Sequence, residues 1–160
     1  MSTLGSTTGA ALEVGGLVGA VRTYDFAALA ALPGQIADVS ELAEGREGAA
    51  VRLTSVIERS QPDAGAAFIT LFAEGDYSAS VPLAAVIDQA ILIYRLGDGP
   101  LPAARGGPVR FLIPDVAACQ TAEVDSCANV KFLRRIELGS ERGPDSRPRT
   151  RASHAELHRA

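Results

Sequence analysis

Residues 97–115, GDGPLPAARGGPVRFLIPD, decide how the rest of the chain is read. A Gly-Asp-Gly turn leads into a stretch with prolines at 100, 102 and 108 and a diglycine at 106–107. An apolar strand follows at 109–113 with Arg110 inside it. Glycines without Cβ atoms let backbone come close to another surface, and the prolines stiffen the path. Arg105 and Arg110 are thereby held near one end of a strand, where planar guanidinium groups suit a phosphate or a carboxylate. The same residues also describe a plain hairpin and a surface loop with two solvated arginines, because glycine and proline punctuate any loop.

Working outward, residues 91–96 read as a strand that turns through Gly97 into this loop. Before it, 66–73 (AAFITLFA) and 77–81 form a hairpin around Glu74-Gly75-Asp76 by their turn chemistry. Pro82 suits the first turn of a short helix with Leu83, Val86 and Ile87 on one face. A further short helix is expected at 54–60, with Val56 and Ile57 inward and Leu53 at its entry. It is preceded by a short strand at 35–40 and a polar loop at 41–48. Nearer the start, 12–21 (LEVGGLVGAV) reads as a strand with a bulge or sharp bend at its glycines. Asp25 then caps a helix whose Phe26, Leu29 and Leu32 share a face, stopped by Pro33-Gly34. Downstream, 114–129 is irregular and 130–138 (VKFLRRIEL) is the last strand. Strands and short helices interleave, so the expected class is α+β with a mixed sheet, its core strands at 68–71, 91–96, 109–113 and 130–138. Residues 12–138 are the expected domain, between a disordered 1–11 and a disordered, arginine-rich tail at 139–160.

With 47% apolar and 21% charged side chains, 160 residues suffice for one globular domain with a real core. The net charge is −4, and the last 22 residues hold five arginines against three acids, which leaves an acidic body. An acidic body argues against nucleic acid as a partner. No apolar run reaches the length of a bilayer span, and the stretch 10–21 contains Glu13 and lacks a basic lead, so the expectation is a cytoplasmic protein without a membrane partner. Two cysteines, Cys119 and Cys127, are too few for a disulfide framework or a four-cysteine zinc site. The sequence has no Walker loop, no G-x-G-x-x-G and no G-x-S-x-G. Its histidines, His154 and His158, both lie in the tail, so the body has no ordinary histidine base and catalysis would have to come from a cofactor.

The order of segments resembles the molybdopterin-binding oxidoreductase domain of the sulfite oxidase superfamily. Tyr24-Asp25-Phe26 through Leu32-Pro33 is similar to the family's early helix ending in Leu-Pro, and VRLTSVIE at 51–58 to the helix opening with an apolar residue and Leu. Residues 75–83 (GDYSASVPL) resemble the Asp-Gly-Tyr segment that leads into a helix beginning Pro-Leu. Gly99-Pro100-Leu101-Pro102, Gly106-Gly107-Pro108-Val109-Arg110 and Ile113-Pro114 resemble the stretch of cofactor contacts. Val130-Lys131-Phe132-Leu133 with Ile136-Glu137 resembles the closing Val-Lys-Trp-Leu and Ile-Glu strand.

The resemblance implies a pocket for an anionic pterin whose dithiolene sulfurs hold molybdenum, with the pterin phosphate gripped by arginine, lysine and backbone donors. On this chain the implied cofactor-binding residues are Arg105, Gly107, Arg110 and Lys131. Arg110 matches the family arginine after Gly-x-Pro-x, and Lys131 the lysine of Val-Lys-Trp. Arg105 stands where the family usually has histidine, and Phe132 where it has tryptophan. The resemblance also implies a metal-ligating cysteine within 35–51, and QIADVSELAEGREGAAV contains none. Loss of that soft ligand removes the protein's bond to the metal. Three readings stand side by side. One is a molybdopterin-dependent oxidoreductase moving an oxygen atom or two electrons, one a non-catalytic binding module of the same fold, and one a thiol redox switch on Cys119 and Cys127. The expected partner is the small-molecule cofactor, and no catalytic or metal-ligating residue is assigned.

Overall fold

A computed structural model describes residues 12–115 and 129–146. Ten strands divide between two sheets among the described residues. The first contains β1 (Leu12–Gly16), β2 (Arg22–Tyr24), β5 (Phe68–Ala73), β6 (Ser78–Pro82) and β10 (Leu133–Gly139), in the order β2-β1-β10-β5-β6. β1 runs parallel to β10 and the other pairs are antiparallel, so this sheet is mixed. The second contains β3 (Gln35–Ile36), β4 (Ala49–Arg52), β7 (Ile91–Leu96), β8 (Gly99–Pro100) and β9 (Arg110–Leu112), all antiparallel, with β4, β8 and β9 each pairing with β7. The helices are α1 (Phe26–Ala30), α2 (Leu53–Glu58) and α3 (Leu83–Val86).

The fold is α+β as expected, but the four core strands that pattern alone groups together are split two and two. The cause lies in residues 129–133. Phe111 N–H donates to the Val130 carbonyl (2.8 Å) and Leu133 N–H to the Val109 carbonyl (2.9 Å), so this segment first runs beside the strand of Arg110. At Phe132 the backbone turns through φ +55° and the chain enters the other sheet as β10. The strand expected over 130–138 therefore begins only at Leu133. Likewise, the strand expected at 35–40 stops at Ile36 and gives way to a 3-10 turn at Val39–Glu41 capped by Asp38.

Strand alternation sorts the core. Leu92 and Tyr94 of β7, Val51 of β4 and Phe111 of β9 join Val14, Leu71, Val81 and Ile136 of the first sheet in the main core, with Leu29, Leu53, Val56 and Val86 from the helices. Ile91 and Ile93 face the other way into a smaller core with Val39, Ala50, Leu101 and Leu112. A strand buried on both faces needs a continuous apolar run, and ILIY at 91–94 is one. Each such side chain contributes about 1.5–3 kcal/mol on burial. Local signals agree with this packing: Asp25 accepts from Ala28 N–H (2.8 Å) as the cap of α1, worth about 1 kcal/mol, and the hairpin turns at Gly75 with φ +88°. Of the tail expected from residue 139, Gly139 ends β10 and residues 143–146 lie along β6 with hydrogen bonds to Ser78 and Ser80.

Candidate functional site

Arg110 pairs in register with Ile93, and the next residue, Phe111, points into the main core. Alternation therefore turns Arg110 to the face of the smaller core, at the point where its apolar side chains end. The loop before it is held by its own backbone: Arg105 and Gly107 N–H both donate to the Pro102 carbonyl (2.9 Å), and Gly106 N–H to Ala103 (2.9 Å). A Cβ on Gly107 would lie 1.8 Å from the Leu101 carbonyl oxygen. Gly107 is thus required by the packing of the loop, and its N–H is spent inside it. Gly106, at φ +92°, lies between two cations: a Cβ there would come within 3.0 Å of Lys131 Cγ and 3.2 Å of Arg110 Cδ. The missing side chain lets the stems of Lys131 and Arg110 approach the loop from either side.

Lys131 is brought there by the crossing segment. Phe132 N–H donates to the Gly106 carbonyl (2.7 Å), and the Phe132 carbonyl accepts from Glu74 N–H (2.9 Å). A non-glycine residue in the left-handed region costs on the order of 1 kcal/mol or more and persists only where its surroundings fix it. Both peptide groups of Phe132 are fixed in this way, and the residue before it is Lys131.

The electrostatics are one-sided. Arg110 Nη1 donates to the Arg105 carbonyl (3.3 Å), while its Nε is buried with no hydrogen-bond partner. Burial, followed by the charge of Arg46, pushes the Arg110 guanidinium below its ordinary value. Arg46 belongs to the segment that lies over Ile93, since a Cβ on the nearby Gly48 would sit 3.1 Å from Ile93 Cγ2. Arg105 forms an ion pair with Glu47 (2.5 Å) in which both side chains are about half exposed. Among the described residues no carboxylate pairs with Arg110 or Lys131. A half-buried cation with an unmet donor and a like charge beside it is unfavourable alone and is relieved by an anion.

A cleft of about 540 Å³ has Gly48 and Ala49, next to Arg46 and Glu47 in the chain, in its wall. Gln35, Asp38, Tyr94 and Arg95 complete much of that wall. Its one cation, Arg95, leans over the Phe26 ring (5.7 Å) and donates through Nε to the Gly97 carbonyl.

Over residues 48–146 the chain matches the family described as oxidoreductase molybdopterin binding domain. The chain belongs to that family. Mitochondrial sulfite oxidases of Rattus norvegicus and Mus musculus are each 35% identical over 68 residues, which is 41% of this chain and 11% of the relative. Among solved structures, the sulfane dehydrogenase SoxCD from Paracoccus pantotrophus superposes with a TM-score of 0.60 at 16% identity, covering 83% of this chain and 39% of that one. That likeness shows the sulfite oxidase-like fold. The match spans only a small part of each curated relative's length.

The residues present fit the anionic end of such a cofactor: Arg110 offers an unmet buried donor, and Lys131 and Arg46 add charge around it. They do not supply the metal's protein ligand. Among the described residues there is no cysteine and no grouping of three or more His, Cys, Asp or Glu side chains that could hold a metal ion. Of the residues expected from sequence, Arg105, Gly107, Arg110 and Lys131 meet at one place, with Gly107 as a packing element. Cys119 and Cys127 lie outside the described residues. Arg46 and Glu47 were missed, because a polar loop of alternating charge gives no pattern that tells a site from a solvated turn.

Proposed function

We propose that Arg110 and Lys131, with Arg46 beside them and Arg105 at the rim, hold the phosphate end of a molybdopterin in a domain that serves an oxidoreductase. The observation that carries the reading is the buried, unpartnered Nε of Arg110, which has Arg46 beside it and no carboxylate paired with it among the described residues. When bound, the cofactor would supply two-electron or oxygen-atom chemistry. The protein's part is to bind and orient: the Arg110 guanidinium would donate to phosphate oxygens, Lys131 would add an adjustable point charge, and Phe132 and Gly106 fix where the two stand. Glu47 holds Arg105 to one side, so that the rim is neutral until an anion competes for the guanidinium.

A second reading keeps the same site without turnover. It is favoured by the absence of cysteine from residues 35–51, two stretches of which wall the large cleft. Protein produced in a host with intact molybdenum cofactor synthesis tests both. Fluorescence of the oxidised pterin is expected in the wild type, reduced at least about tenfold in Arg110→Met and Lys131→Met. Pterin with stoichiometric molybdenum supports the oxidoreductase, and pterin without metal supports the binding module. Retention unchanged in both variants defeats the site. No helix of the described residues is long and apolar enough to cross a membrane. Action in the cytoplasm, suggested by composition, is tested by fractionation, since the rat and mouse relatives are mitochondrial by name.

A further inference from the structure

Thr70 and Ser80 stand opposite each other on β5 and β6. Their neighbours Ile69, Leu71, Ala79 and Val81 fill the main core, so alternation turns both hydroxyls to the sheet's other face, where water is expected. Yet Thr70 is only 5% and Ser80 1% exposed. Residues 142–146 cover them. Gly143 N–H donates to Ser80 Oγ (2.9 Å), which also accepts from Thr70 Oγ1 (3.0 Å). A Cβ on Gly143 would lie 2.4 Å from Thr70 Oγ1, so only glycine comes this close.

The strap then reaches the outer edge of β6. Ser80 N–H donates to Asp145 Oδ2 (3.2 Å), Ser78 N–H to Ser146 Oγ (3.2 Å), and Ser146 N–H to the Ser78 carbonyl (2.7 Å). Ser78 Oγ donates to the Pro144 carbonyl (3.1 Å), and the ion pair of Arg142 with Asp145 (3.1 Å) fixes the bend. The next outward position on this alternation is Pro82, which has no N–H. The outward donors at 78 and 80 are therefore taken and the one at 82 is missing. An edge left open would invite another strand. The β6 sequence, SASVP, is uncharged and built of small residues, so two copies could approach antiparallel about a two-fold axis without repulsion.

We propose that residues 143–146 form an intramolecular cap on β6, and that lifting it lets β6 pair with β6 of a second copy. The full chain carrying Gly143→Val, whose side chain has no room over Thr70, tests this, with Ser80→Ala as a milder variant should the first not fold. Hydrogen exchange in dilute solution is expected to be at least about tenfold faster at the Ser78 and Ser80 amides than in the wild type. Sedimentation at rising concentration is expected to show a species of twice the wild-type mass. That species should vanish when Ser78→Pro is added, which removes an edge donor, or when the free peptide SERGPDS (140–146) is supplied in excess. Unchanged amide exchange in both variants would overturn the cap. Faster exchange without the heavier species, or a heavier species that survives Ser78→Pro, would overturn the pairing through β6.

Discussion

The first sheet presents one face to the main core and leaves most of the other to polar side chains, whereas the second is covered on both. On the open face of the first, Glu13, Thr23, Phe72 and Arg135 lie in a row across four strands, with the Arg135 guanidinium 4.4 Å from the Phe72 ring. In the second, β7 is buried on both sides because residues from 36–43 and 96–101 fold over it. The difference teaches where a site can form. Both Arg135 and Arg110 keep a buried Nε without a partner, but Arg135 lies against the Phe72 ring and 3.5 Å from Glu137, whereas Arg110, at the margin of the covered face, has the like charge of Arg46 beside it and no paired carboxylate among the described residues.

The largest expected effect follows from burial on the covered side. Phe111→Ala should cost about 3–5 kcal/mol in denaturant unfolding, against about 0.5–1 kcal/mol for Phe72→Ala on the open face. Equal costs would mean that the two sheets are not used differently. Next in size is Gly107→Ala, whose methyl has to displace the Leu101 backbone; a loss of about 1–3 kcal/mol is expected, together with weaker pterin retention. Arg110→Met should act in the opposite direction on the ligand-free protein. Replacing a desolvated, unpaired cation is expected to stabilise by about 1 kcal/mol, or roughly 4 °C in Tm, even as binding is lost. A lower Tm would show that Arg110 is a structural residue. The smallest effects are those of exposed pairs. Glu47→Gln should leave stability within about 0.5 kcal/mol and raise inorganic phosphate affinity about threefold at low salt, a gain that fades as salt rises. Glu74→Gln, which breaks the exposed pair with Arg134 on the first sheet, should change neither.

Much of this was legible before any coordinates. The strand at 91–96, the Asp25 cap, the Gly75 turn and the short helix after Pro82 each rest on interactions between near neighbours in the chain, and local physics writes those directly into residue order. The order of Gly-Pro segments around Arg110 also carried the resemblance to the molybdopterin-binding family, and composition set the acidic body apart from the arginine-rich end. Three things were decided only in three dimensions. The division into two sheets depends on Phe132 taking a left-handed turn, which its sequence does not announce. The meeting of Arg46, Arg110 and Lys131 joins positions up to 85 residues apart, through contacts that leave no periodic trace. The docking of 142–146 on β6 rests on single hydrogen bonds and one steric fit at Gly143, made by a polar segment whose composition is that of a loose tail. Period and propensity record what a residue does to its own stretch of backbone, and these features come from what distant stretches do to one another.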